Sequence, residues 1–271
     1  MDWVDRFRGR YRGELARRGI RIPPALPGEA TAEAAGALLA LRRPDPEDAR
    51  PLDSFEAFVI ENTAVSTAPL VPEIKLHLAT ELTPLWEATE ATLAEKGLPP
   101  PFWAFSWPGG QALARFMLDQ PEIVRGKRVL DFAAGCGIAS IAARMAGAGA
   151  VVATEIDPFA AVALALNGWL NQADVEIWLQ DVIGQANDPA SADGFAVILA
   201  GDMCYERPLA ERMTAWLRTL AAGGALVLMG DPGRSYLPKE RLESLTTFSV
   251  PTTLELESST RQETRIWRLL P

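Results

Sequence analysis

The chain has 271 residues, 48% hydrophobic and 23% charged, the balance of an ordinary globular protein that can bury a core without disulfides or a metal. A net charge of −9 and a pI near 4.8 argue against a nucleic-acid partner, which calls for a basic face, and suit a basic one; the plainer role of such acidity is solubility. Cys136 and Cys204 form no CxxC pattern, which disfavours a disulfide framework or zinc site, and no apolar run reaches the roughly 20 residues that span a bilayer.

The first 21 residues carry seven arginines against Asp2, Asp5 and Glu14. Trp3, Val4, Phe7, Tyr11 and Leu15 recur at helical spacing. Transit peptides are Arg-rich but poor in acids and rich in serine. This stretch has three acids and no serine, so it reads as an amphipathic helix, a docking arm for a partner. Prolines from Pro23 to Pro84 break the first 100 residues into short helices and extended pieces. The division expected is an extension over 1–100 that contacts partners, and a ligand-binding domain over 101–271.

From residue 128 the pattern is regular. Arg128–Ala133 reads as a buried strand, followed by a glycine turn and a helix from Ile138 to Ala146. Ala150–Glu155 is a second strand. Pro158 opens a helix to Leu170, where its missing N–H costs nothing. Val175–Leu179 and Phe195–Ala200 are the third and fourth strands. A helix over Pro208–Ala221 and the turn Gly223–Gly224 lead to a fifth, Ala225–Met229. Strands alternating with helices mean a parallel sheet covered on both faces. Phe248–Glu257 and Arg265–Leu269 are strand-like with no good helix between them, an antiparallel pair closing the sheet edge. This layout resembles the class I (Rossmann-like) methyltransferase fold. The fold expected is α/β, a seven-stranded, mostly parallel sheet with helices on both faces, plus a mainly helical N-terminal extension.

Ligands of open α/β sheets bind beyond the carboxyl ends of the strands. The first strand ends in Asp131-Phe-Ala-Ala-Gly135-Cys-Gly137, whose glycines allow a tight turn and close approach. The second ends in Glu155-Ile156-Asp157, 24 residues after Asp131 at its start, and the third in Asp181-Val182. An acid after the second strand accepts hydrogen bonds from both hydroxyls of a ribose. A dinucleotide enzyme is disfavoured: the third glycine position is Ser140, and Asp131 would repel a pyrophosphate. The acids fit the class I methyl donor, S-adenosylmethionine, better. Asp131 would face its ammonium end and Asp181 its adenine amino group.

The fourth strand leads to Gly201-Asp202-Met203-Cys204-Tyr205, a DxxY pattern without the paired prolines of enzymes that methylate planar amides. This pattern joins Trp103-Ala-Phe-Ser-Trp107-Pro-Gly-Gly-Gln-Ala-Leu-Ala-Arg115, Val124–Asp131, Gly230-Asp-Pro-Gly-Arg234 and Glu257-Ser-Ser-Thr-Arg-Gln-Glu263. Together they resemble the DxxY protein-lysine methyltransferases, and within them the group that modifies the electron transfer flavoprotein beta subunit. The resemblance covers residue 55 to the C-terminus. It implies a protein-lysine N-methyltransferase using S-adenosylmethionine, with that subunit as partner and neither nucleic acid nor membrane. It implies that Trp107 and Gly201 line the cofactor pocket, that Asp202 contacts the target amine and Tyr205 supports it, and that Glu73, in Pro72-Glu73-Ile74, is a second carboxylate near the lysine channel.

Each residue also has a plainer reading. Asp202 could cap the next helix, Tyr205 and Trp107 could be packing, and Asp231 and Arg234 could form a strand-end turn. The only histidine, His77, sits among apolar residues and reads as structural, so a hydrolase triad has no support. The runner-up activity is N-methylation of a small amine, and a scaffold without turnover is a third reading. The Ala/Arg/Pro-rich composition suggests a bacterial, cytoplasmic protein; a eukaryotic source would suggest the mitochondrial matrix.

Overall fold

A computed structural model of the chain describes residues 54–88, Leu93, 100–191 and 193–271. The arginine-rich stretch over 1–21 lies outside them. The described part opens with helix α1 (Ser54–Glu61) and an antiparallel hairpin, β1 (Ala64–Ala68) and β2 (Val71–Leu78). Ile74, Leu76 and Leu78 alternate with exposed or half-buried residues, the period-two signature of a strand with one covered face. Much of the described extension is therefore sheet, where mainly helix was expected.

A one-turn helix α2 (Pro84–Glu87) and a 3-10 turn (Phe102–Ala104) lead into α3 (Pro108–Asp119). Then β3 (Arg128–Phe132), α4 (Ile138–Met145), β4 (Ala150–Glu155), α5 (Pro158–Leu170), β5 (Glu176–Leu179), β6 (Val197–Gly201), α6 (Arg207–Ala222) and β7 (Leu226–Asp231) follow. The strands lie in the order β5-β4-β3-β6-β7-β9-β8, and the five from β5 to β7 are parallel. Their interiors are buried on both faces, as helices on either side require. The strand order reverses between β3 and β6, which opens a crevice at their carboxyl ends.

The tail departs from the expectation. β8 runs over Leu242–Pro251, not Phe248–Glu257, and a one-turn helix α7 (Leu254–Glu257) separates it from β9 (Arg261–Leu269). Thr253 caps that turn, its hydroxyl accepting from the Leu256 N–H. β9 pairs with both β7 and β8, so β8 forms the outer edge.

Two devices position the crevice. Gly109, Gly201 and Gly230 bring the start of α3 against the ends of β6 and β7, where a Cβ on Gly109 or Gly230 would strike the other's carbonyl oxygen. Asn167 of α5 and Asn171, which caps its C-terminus, extend amides to the free edge of β2. The Asn167 amide oxygen accepts from His77 N at 2.6 Å, and Asn171 both accepts from and donates to the Lys75 backbone, at 2.9 and 2.6 Å. Asn167 also donates to the Cys136 carbonyl at 2.8 Å, tying the hairpin to the glycine turn. His77 is structural, as expected, its Nδ1 lying 3.1 Å from the Thr63 hydroxyl.

Asn167→Ala strands the His77 N–H and the Cys136 carbonyl. It should cost about 2–4 kcal/mol in urea-unfolding experiments, from roughly 1–3 kcal/mol per unsatisfied buried group. A loss below 1 kcal/mol would mean that the hairpin is not held this way.

Candidate active site

The turn from β3 to α4 takes left-handed backbone at Ala133 (φ 52°), Gly135 (φ 56°) and Gly137 (φ 78°). Glycine tolerates this freely; alanine does so only under constraint. The constraint is visible, because Ala133 N and Ala134 N donate to the hydroxyl and carbonyl of Thr154 on β4. A Cβ on Gly135 would meet nothing within 4 Å, whereas one on Gly137 would press on Leu164. Gly135 thus presents bare backbone to the crevice, and Gly137 is needed for packing.

Four carboxyl groups are gathered along this edge, and each finds a different partner. Asp131 is buried and accepts from the Ser140 hydroxyl at 2.6 Å. Glu155 accepts from Gly135 N at 2.6 Å with one oxygen and from Ile156 N at 3.1 Å with the other. Asp157 caps α5, accepting from Phe159 N at 2.8 Å. Burial pushes Asp131 up to about 6 and Glu155 and Asp157 up to about 7, well above ordinary carboxyl values.

The fourth is Asp202, buried and left-handed (φ 55°) directly after β6. It does not cap α6, whose N-cap residue is Glu206. One Asp202 oxygen accepts from Gly109 N at the start of α3. The other accepts from Arg234 Nε and Nη2 at 3.0 and 2.7 Å. Arg234 also donates to both oxygens of Glu257 on α7, at 2.9 and 2.5 Å, and its guanidinium lies 5.8 Å from the centre of the Trp107 ring. Burial raises Asp202 to about 6, and the Arg234 charge opposes the rise. Burial lowers the Arg234 pKa, but Glu257 and Asp202 more than reverse it. The strand-end turn is present: the Asp231 carboxylate accepts from Gly233 N and Arg234 N at 2.7 Å, and the turn aims the Arg234 guanidinium at Asp202.

Around this network stand exposed aromatic rings. Phe102 lies 6.2 Å from Trp107 and 5.7 Å from Tyr205, and Tyr205 itself is 44% exposed. Trp107 Nε1 donates to the Phe102 carbonyl at 2.8 Å. Ile156 is exposed beside Glu155, while Val182 is buried. Asp181 accepts from Ile183 N and pairs with Arg212 at 3.2 Å. A Cβ on Gly201 would press on the backbone of Gly110, 3.0 Å from its N. Glu73 lies on the outer side of β2, paired with Arg115 at 2.7 Å, and has no hydrogen bond to Asp202 or Tyr205. The sequence pattern assigned no site role to Ala133 or Phe102, and none of the present roles to Ser140, noted only as the third glycine position, or to Glu257, noted only as the start of a motif. Among the described residues no group of three or more His, Cys, Asp or Glu is arranged to hold a metal, and no helix is long and apolar enough to cross a membrane.

A glycine turn backed by carboxylates suits a ligand with ammonium and sulfonium charges and ribose hydroxyls, and would repel a pyrophosphate. The Glu155 oxygens each accept one backbone bond, so lone pairs remain for hydroxyls. With the sheet order above, this defines a class I S-adenosylmethionine-dependent methyltransferase. The family model for ribosomal protein L11 methyltransferase (PrmA) matches residues 112–230. A zebrafish (Danio rerio) electron transfer flavoprotein beta subunit lysine methyltransferase is 39% identical over 223 residues, 80% of this chain and 83% of that protein. The human (Homo sapiens) protein of the same name is 35% identical over 80% of this chain and 82% of its own length. Among solved structures, magnesium protoporphyrin IX methyltransferase from Synechocystis aligns with a TM-score of 0.44 at 16% identity, over 60% of this chain and 78% of that one. The chain belongs to the electron transfer flavoprotein beta subunit lysine methyltransferase family.

The raised carboxyls predict a pH dependence. Between pH 4 and 7 the folded chain keeps protons that the unfolded chain has released, so stability falls as pH rises from about 4 and levels off above about 7, once the folded groups have ionised as well. Arg234→Met removes the cation between Asp202 and Glu257. Its cost should be about 3–5 kcal/mol at pH 8 and clearly smaller at pH 5, where Asp202 can hold its proton. Urea unfolding at both pH values checks this, and an equal loss at both would exclude the ion-pair account.

Proposed function

We propose that this enzyme methylates lysine side chains of a protein, and that the protein is the electron transfer flavoprotein beta subunit. The relatives' names support the substrate. The observation that carries the chemistry is the Asp202–Arg234 pair beside Trp107.

S-adenosylmethionine, when bound, supplies an activated methyl group on a sulfonium. The residues assigned to it are Asp131 and the Gly135–Gly137 backbone at the methionyl end, and Glu155 at the ribose. Ile156, Val182 and Asp181 are assigned to the adenine, and Trp107 and Gly201 border the reacting end. Asp157 serves this pocket indirectly, by fixing the start of α5.

The target amine must be neutral to attack, yet a lysine with pKa near 10.4 is under ~0.1% neutral at pH 7. A lone carboxylate would hold the ammonium and make this worse. Here Arg234 offsets part of the Asp202 charge, though it serves Glu257 too, so Asp202 is an acceptor whose pull on the ammonium is reduced. A carboxylate has about four lone-pair sites, of which Gly109 and Arg234 use three. The remaining one can orient an amine, while the Arg234 charge disfavours its protonated form. Tyr205 and Phe102 wall the approach of the lysine stem. Residues 1–100 are the extension assigned to partner contacts, and Glu73 is assigned there to its outer face.

Intact-mass spectrometry of purified flavoprotein beta subunit, after incubation with the enzyme and S-adenosylmethionine, should show steps of one methyl. Asn tolerates left-handed backbone, so Asp202→Asn should fold and bind the donor while losing about 10²-fold or more in kcat. An unchanged subunit mass with demonstrated donor binding would eliminate this substrate. Donor affinity should also rise with pH through 6 to 7, as Glu155 and Asp131 ionise, and then level off. In Glu155→Gln the affinity should be lower and the rise smaller. Calorimetric titration across that range measures both.

A further inference from the structure

A cavity of about 340 Å³ lies between the β1–β2 hairpin, the segment entering α3 and the α7 turn. One wall is a run of aromatic rings. Trp86 and Phe105 have centroids 5.7 Å apart, and Phe105 and Trp107 5.9 Å, each pair inclined by about 60°. The charged side chains lining it are all acidic: Glu81 and Glu255 are exposed, and Glu257 is half-buried. Among the described residues no lysine, arginine or histidine lines it. The Glu257 oxygens are bonded to Arg234, whereas Glu81 and Glu255 make no ion pair among the described residues.

Aromatic faces with carboxylates at the rim attract cations, and their apolar surface accepts the aliphatic stem of a long basic side chain. The volume falls in the range of small-ligand sites, about 300–1,000 Å³. Trp107 lines this cavity and also carries the Arg234 guanidinium that binds Asp202. The cavity therefore adjoins the proposed amine site without being part of it. We infer that it is a docking pocket for a second basic side chain of the protein substrate, a lysine or arginine near the one that is methylated. This rests on the protein-lysine reading above. It gives the enzyme a way to choose among lysines, because only one with a basic neighbour at the right distance fills both sites.

The test uses the full chain and two double variants. Glu81→Gln/Glu255→Gln neutralises the rim. Glu240→Gln/Glu243→Gln makes the same charge change at the far end of β8 from α7. Hexalysine titrated at physiological salt should quench tryptophan fluorescence saturably in the wild type. Its apparent Kd should rise about fivefold or more in the rim variant, from two partly screened charge contacts, and stay unchanged in the remote one. Equal weakening in both variants would reduce the effect to bulk charge and overturn the pocket. Equal binding of fully acetylated hexalysine would mark an apolar-ligand site and overturn it as well. With the flavoprotein beta subunit as substrate, the rim variant should raise KM by a similar factor at unchanged kcat. Methylation with unaltered KM would refute the pocket and leave the enzymatic reading intact. Rim-dependent hexalysine binding by an enzyme that leaves that subunit unmethylated would uphold the pocket and refute the proposed substrate.

Discussion

Everything at this site follows from placing four carboxyl groups wholly (Asp131, Asp202) or partly (Glu155, Asp157) out of water along one edge of a sheet. A buried carboxylate is costly unless hydrogen bonds or a cation offset its desolvation. The fold provides a different compensation at each strand end. Ser140 supplies a hydroxyl to Asp131, and backbone N–H groups serve Glu155 and Asp157. Asp202 alone receives a full positive charge. The compensation is incomplete, since all four pKa values stay raised. The edge is thus set to gain from a ligand that brings positive charge and hydroxyl donors.

The glycine turn belongs to the same constraint. Glu155 can accept from Gly135 N only because the backbone from Ala133 to Gly137 alternates into the left-handed region and turns its N–H toward β4. The carboxylate proposed to meet a ribose therefore also holds the turn in shape. Asn167 secures that turn from behind through the Cys136 carbonyl, and through His77 it links the turn to the hairpin. Two hydrogen bonds, both through Asn167, thus separate the hairpin from the glycine turn.

Much of this was legible in the sequence, for identifiable reasons. The strands are buried on both faces and read as apolar runs, and an acid at the end of such a run has few structural uses. That exposed Asp131, Glu155 and Asp202. Asp-Pro at 157–158 is a helix-start signal, and the structure uses Asp157 as the cap. The limits of β8 were misplaced because Leu242–Thr247 is mixed in polarity, as an outer-edge strand can be, and its register is set by β9. Glu257 could not be read as a site residue at all. It lies 23 residues from Arg234, and only the return of the tail through β8 brings the two together.

That return gives the antiparallel tail a purpose beyond closing the sheet. Because β9 inserts between β7 and β8, the connection between β8 and β9 is carried to the end where β6 and β7 deliver Asp202 and Arg234. The α7 turn sits in that connection, and Thr253 caps it so that Glu257 meets the guanidinium with both oxygens. Without Glu257, Arg234 would be held by Asp202 and the face of Trp107 alone, and its long side chain would regain rotamer freedom. With Glu257, the guanidinium is gripped on two sides, and Asp202 meets a cation whose orientation is already determined. The same turn forms one wall of the acidic, aromatic cavity on the other side of Trp107. A single capped turn thereby orients the cation beside Asp202 and shapes the surface next to it.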